Sequence, residues 1–173
     1  MLIIISLAAH EAAHILSAVL LKIKFDKLKI TLFGFNFDAD LENIIFIKKF
    51  LLFISGPACN LLLFLIFKNT DYNRLAEINV FLAIINMIPI VPLDGGNICK
   101  SVLEVFLDLK AVCRYMMMTN TFFIVLFLVI IHMYENYLYF LLILMCLKGI
   151  LEENRILIEK SIKKNYHLIK FNK

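Results

Sequence analysis

Three stretches of this chain carry no charged side chain, Phe50–Phe67, Ile78–Leu93 and Tyr115–Tyr134, and residues 2–21 carry only Glu11. Runs of this kind suit a lipid solvent, where the backbone must satisfy its own hydrogen bonds and therefore coils into helices. A span needs about 20 predominantly apolar residues. These four stretches meet or approach that length. A fifth, Asn136–Leu147, does so if it continues to Leu151 with Lys148 snorkelling to the surface. The sequence thus predicts an all-α polytopic membrane protein of about five transmembrane helices. Composition agrees: hydrophobic residues make up 62% and charged residues 18%, against about 25% charged in soluble domains. A chain this apolar buries surface readily, which excludes disorder. Residues 1–22 read as the first span rather than a cleaved leader, since no basic segment precedes the apolar run and no small-residue cleavage site follows it.

Positive charge in short loops stays in the cytoplasm. With the amino terminus placed outside, sixteen of the 18 Lys and Arg fall inside, and only Lys68 and Arg74 lie outside. The expectation is a multi-pass cell-membrane protein with a cytoplasmic carboxyl terminus and the lipid bilayer as its surroundings. The net charge of +4 then reflects orientation, and no nucleic-acid partner is expected. Residues 1–151 form the membrane domain. Residues 152–173 form a basic cytoplasmic tail in which Ile158, Ile162 and Ile169 recur at near-heptad spacing, as in an interfacial amphipathic helix. The cysteines Cys59, Cys99, Cys113 and Cys146 show no metal-binding or redox spacing and read as reduced packing residues.

Between the first two spans, Lys27, Lys29 and Thr31 alternate with Leu28, Ile30 and Leu32 ahead of Gly34. This period of two with a glycine predicts a short membrane-associated β-hairpin. It either lies on the bilayer surface or offers an edge strand to an extended client, in which case Lys29 and Ile30 are candidate substrate-binding positions.

The chemistry resides in His10-Glu11-Ala12-Ala13-His14. Histidines at i and i+4 of a helix project from one face, spaced to share a metal, and the carboxylate beside them can take a proton from an activated water. Three polar residues lining a bundle interior would give the same pattern. A glutamate between two histidines is nevertheless expensive at membrane depth and marks a functional site. A catalytic zinc wants a third protein ligand. The metzincin continuation fails, with Ser17 and Leu20 where its glycine and third histidine would stand. Glu42 is one candidate, in the loop before the second span. Asp94 is the better one, because it follows Pro89 and Pro92 and precedes Gly95 and Gly96, where irregular backbone can present a carboxylate.

The set HEAAH, SGPACN at 55–60 and NMIPIVPLDGG at 86–96 resembles the site-2 protease family of intramembrane zinc metalloproteases. The short segment between spans and the tail beginning EENR most resemble the stage IV sporulation group, which processes a membrane-associated sigma-factor precursor. The resemblance implies Zn²⁺ held by His10, His14 and Asp94, Glu11 as general base, and Asn60 and Asn86 lining the site against the substrate strand or the oxyanion. Helix-to-helix hydrogen bonding is the alternative role for both amides. It also implies a membrane-spanning or membrane-tethered protein substrate cut near the cytoplasmic face, and an inhibitory membrane partner is open. That group carries a helix before its H-E-x-x-H helix and a nucleotide-binding regulatory domain after the last span; neither is read in this sequence, and the expectation is either a minimal form or a sequence whose beginning is omitted. The rival functions are a membrane zinc-binding or transport protein and an inactive protease-like scaffold.

Overall fold

The computed structural model describes residues 1–23, 25–31, 34–39 and 44–171, with side chains for 1–23 and 44–162. In chain order the elements are α1 (Leu2–Leu20), β1 (Phe25–Thr31), β2 (Gly34–Ala39), α2 (Phe46–Phe67), α3 (Asn73–Asn86), α4 (Asp94–Phe106), α5 (Leu109–Tyr134) and α6 (Tyr139–Phe171). The chain divides into two compact units. One comprises Met1–Ile88 with Leu93–Ser101, and the other Pro89–Pro92 with Val102–Lys173.

In the first unit, α1 buries Ser6, His10, His14 and Ala18, every fourth residue and hence one stripe along the helix. Its Ile3, Ile4, Leu16 and Leu20 face outward. The same inversion recurs in α2, which buries Lys49, Gly56, Pro57 and Asn60 with Leu52 as the one large apolar exception, and in α3, which buries Ala76, Asn79 and Ala83. Small and polar residues inside with branched apolar residues outside is the pattern lipid selects, because lipid solvates leucine as well as a core does and helices associate through close approach and hydrogen bonds. Asn79 Nδ2 accordingly donates across to Ser6 Oγ at 3.0 Å.

The end of α1 is closed by backbone bonds from Ile23 N–H to the Ala18 carbonyl at 3.0 Å and from Lys22 N–H to Val19 at 3.1 Å, with Lys22 left-handed at φ 52°. This Schellman arrangement satisfies the last carbonyls of the helix. Lys48 Nζ donates to the Leu21 carbonyl at 2.9 Å, placing a cation at the negative end of the helix dipole. Beneath the turn, Ala18, Ile23 and Leu52 form a buried apolar cluster.

Strands β1 and β2 pair antiparallel, with Lys29 opposite Asn36 and Ile30 opposite Phe35. Residues 32 and 33 between them lie outside the described residues. In the second unit α5 packs along α6.

The expected fold class, all-α with about five transmembrane helices and a membrane-associated hairpin, is corrected. Among the described residues three helices are long and apolar enough to cross a membrane: Leu2–Leu20, Phe46–Phe67 and Leu109–Tyr134. The stretch Ile78–Leu93 does not form one helix, because α3 stops at Asn86 and the chain turns through two prolines before α4. The 14 residues of α3 measure about 21 Å at 1.5 Å rise, short of a hydrocarbon core of about 30 Å. The stretch from Asn136 begins one continuous helix, α6, whose 33 residues soon turn charged, with Lys148 paired to Glu152 and Arg155 to Glu159 along its own surface. Counting apolar residues does not show where a helix ends, so the expected five spans stand against three candidate helices among the described residues. The strands also make the chain more than a set of helices.

Candidate metal centre

The centre is built by α1, α2 and the first turn of α4. His10 and His14 point from the buried stripe of α1, as i and i+4 require. Asp94 opens α4, and the reason it can do so is local. A Cβ on Gly95 would run into the Met87 carbonyl and come within 2.6 Å of the Ile88 carbonyl oxygen. Only glycine lets the start of α4 press against the end of α3. Close approach, rather than unusual backbone angles, is what this glycine provides.

His10 Nε2 lies 3.1 Å and His14 Nε2 3.3 Å from Asp94 Oδ2, and the two Nε2 atoms are 3.2 Å apart. The three donors form a nearly equilateral triangle. Ligands about 2.0–2.1 Å from a tetrahedral zinc stand roughly 3.3–3.4 Å from one another, so the triangle has the size of one metal's face. Both histidines are buried. Asp94 Oδ2 is also buried and has no hydrogen bond of good geometry, although it lies within ion-pair distance of both imidazoles. Three lone-pair donors converging in a largely buried site call for a cation between them. Among the described residues this is the cluster of ligating side chains able to hold a metal.

The surroundings set the tautomers. His14 Nδ1 is 2.8 Å from the Leu52 carbonyl, so Nδ1 carries the proton and donates, leaving the Nε2 lone pair for a ligand. Ser55 Oγ donates to the same carbonyl at 2.7 Å and touches His14 Nδ1 at 3.2 Å. His10 Nδ1 faces the Asn60 amide at 3.1 Å. The facing atom is Asn60 Nδ2, and Asn60 Oδ1 is buried without a hydrogen bond; exchanging the two amide atoms would let the oxygen accept from Nδ1–H and free His10 Nε2, because amide orientation is assigned from the network rather than from shape. Gly56 completes the setting, since a Cβ there would occupy the space of both rings, 2.6 Å from His10 Cε1 and 2.7 Å from His10 Nε2.

The structure therefore brings together His10, His14 and Asp94, with Glu11 adjacent on α1 at intermediate burial. Asn60 joins them, against an imidazole. Asn86 donates to the Leu82 carbonyl of its own helix at 3.0 Å. Lys29 and Ile30 lie on β1, their side chains outside the described residues, and Glu42 is outside them altogether. Sequence reasoning missed the Leu52 carbonyl, Ser55 and Gly56. SGPACN held the signal for the last two, a serine and a glycine five and four residues before Asn60, about one turn, on the helix that packs on α1.

Residues 71–131 match the profile of peptidase family M50. The chain is 33% identical over 114 residues to a Synechocystis sp. protein assigned by name as a zinc metalloprotease, covering 59% of this chain and 30% of that one; it thus spans under a third of the relative's length. The fold is similar to that of the site-2 protease from Methanocaldococcus jannaschii, with TM-score 0.62, 20% identity, and coverage of 89% of this chain and 74% of that structure. The profile match covers well under half of the chain, and the likeness to the archaeal structure is one of fold alone.

Proposed function

We propose that this chain is an intramembrane zinc endopeptidase, which hydrolyses a peptide bond of a membrane-spanning or membrane-tethered protein near the cytoplasmic face. The observation that carries this reading is the buried donor triangle of His10, His14 and Asp94 with Glu11 next to it in sequence. These residues fit a metal; zinc, when bound, supplies Lewis-acid polarisation of a carbonyl and acidification of water. The protein's own groups do the rest. His14 is held in its ligand tautomer by the Leu52 carbonyl, and Asn60 orients His10. Glu11 accepts the proton of the attacking water and returns it to the leaving amine. A helical substrate hides its carbonyls in hydrogen bonds, so the client must be extended at the site, and the edge of β1 away from β2, around Lys29 and Ile30, is the element suited to hold it so. Asn86 is a second candidate contact for that strand. Charge asymmetry favours a cytoplasmic carboxyl terminus and active site. A membrane-associated transcription-factor precursor, such as a sigma factor, is the finer substrate proposal.

The test is Glu11→Gln in the full chain, co-expressed with tagged single-pass and membrane-tethered clients. The amide keeps shape but cannot accept the proton, so metal content should hold while the client fragment disappears. A fragment formed at the parent level sinks the reading. Metal flux into vesicles that depends on His10 and His14 but not on Glu11 would replace it with the transport alternative.

A further inference from the structure

The residues Pro89–Pro92 lie between α3 and α4 in sequence and belong with α5 and α6. Their backbone is irregular, two of the four are prolines without N–H groups, and Ile90 and Val91 are buried. Buried backbone polar groups need partners. Val91 finds both of its partners in one side chain: its N–H donates to Asn120 Oδ1 at 3.2 Å, and its carbonyl accepts from Asn120 Nδ2 at 3.0 Å. A primary amide offers donor and acceptor as a peptide group does, so Asn120 pairs with Val91 as a neighbouring strand would. The second Nδ2 hydrogen goes to the Cys146 carbonyl of α6 at 3.1 Å.

Asn120 is fully buried in the middle of an apolar helix, a costly place for an amide unless every bond is made. Gly149 of α6 makes the room, since a Cβ there would run into both the Val91 carbonyl oxygen and Asn120 Nδ2. The clamp thus needs an amide on α5, a glycine on α6 and the backbone of Val91 in register. Three residues beyond Val91 stands Asp94.

We infer that Asn120, with Gly149 as its seat, is a positioning residue for Asp94: it anchors the backbone from which the chain delivers that carboxylate to the two histidines. The inference rests on the metal site proposed above. The structure gives the clamp no contact with substrate, so its effect should appear first in metal affinity.

Full-length parent, Asn120→Ala, Gly149→Ala and Met116→Ala, reconstituted in lipid nanodiscs, test it by two readouts. Met116 is a fully buried neighbour on α5 outside the clamp, and controls for general loss of packing. Chelator competition should show zinc affinity about tenfold weaker in both clamp variants, the low end of the effect of outer-shell groups, and unchanged in Met116→Ala. Hydrogen exchange on metal-free protein should be faster across residues 91–97 in the clamp variants alone. Parent affinity in both clamp variants, equal weakening in Met116→Ala, or unchanged exchange at 91–97 overturns the inference. A parent that binds no zinc refutes the proposed function instead, and the exchange data still decide whether Asn120 and Gly149 hold the strand that carries Asp94.

Discussion

Replacing Gly56 with alanine sets two physical effects against each other. Alanine is the better helix former by about 0.8–1 kcal/mol, so propensity alone makes Gly56→Ala neutral or stabilising. The new carbon, however, would lie 2.6 Å from His10 Cε1 and 2.7 Å from His10 Nε2, and nearer still to His14 Nε2. Comfortable carbon contacts begin at about 3.5 Å, so the rings must retreat by about 0.8 Å or more. Metal sites hold their ligands to about 0.2 Å. Strain of this kind costs about 1–3 kcal/mol, enough to offset the propensity gain without unfolding the helix. The displacement is several times what a zinc site tolerates, and since outer-shell changes alone cost about 10–100-fold in affinity, a loss beyond 100-fold is expected. Elemental analysis of the purified variant, with chelator competition and circular dichroism for helicity, measures it. Native helicity with zinc per chain and affinity both at parent level would refute the claim that Gly56 keeps open the space of the two ligating rings.

Three further outcomes are expected. Asp94→Ala should lose the metal and Glu42→Ala should retain it, by elemental analysis; the reverse result would move the third ligand to Glu42. Proline at Lys29 or at Ile30 removes one backbone N–H, and because N–H groups alternate along a strand, client cleavage should fall in one variant more than the other with metal content held; parent rates in both would place the substrate grip elsewhere. A reporter fused after Lys173 should be cytoplasmic and one inserted near Asp71 external, by protease protection or reporter activity, and a cytoplasmic Asp71 reporter would invert the orientation.

His10 and His14 were legible in the sequence because their relation is local. A helix of 3.6 residues per turn puts i and i+4 on one face whatever else the chain does, and a glutamate between them in an apolar run is too costly to be idle. The apolar runs determined equally that helices would form and that lipid-facing surface would dominate. Everything that depends on where helices stop or meet was decided by tertiary structure. Ile78–Leu93 counts as a span by composition, yet α3 ends at Asn86 because proline and turn chemistry override apolarity. Asp94 stands 80 residues beyond His14 in sequence, and its arrival within 3.3 Å depends on Gly95 letting two helix ends touch. Asn60 and Asn86 look alike as intramembrane amides. Packing gives the first to an imidazole and returns the second to its own helix, because a side-chain amide bonds whatever its neighbours leave open, and sequence does not name the neighbours.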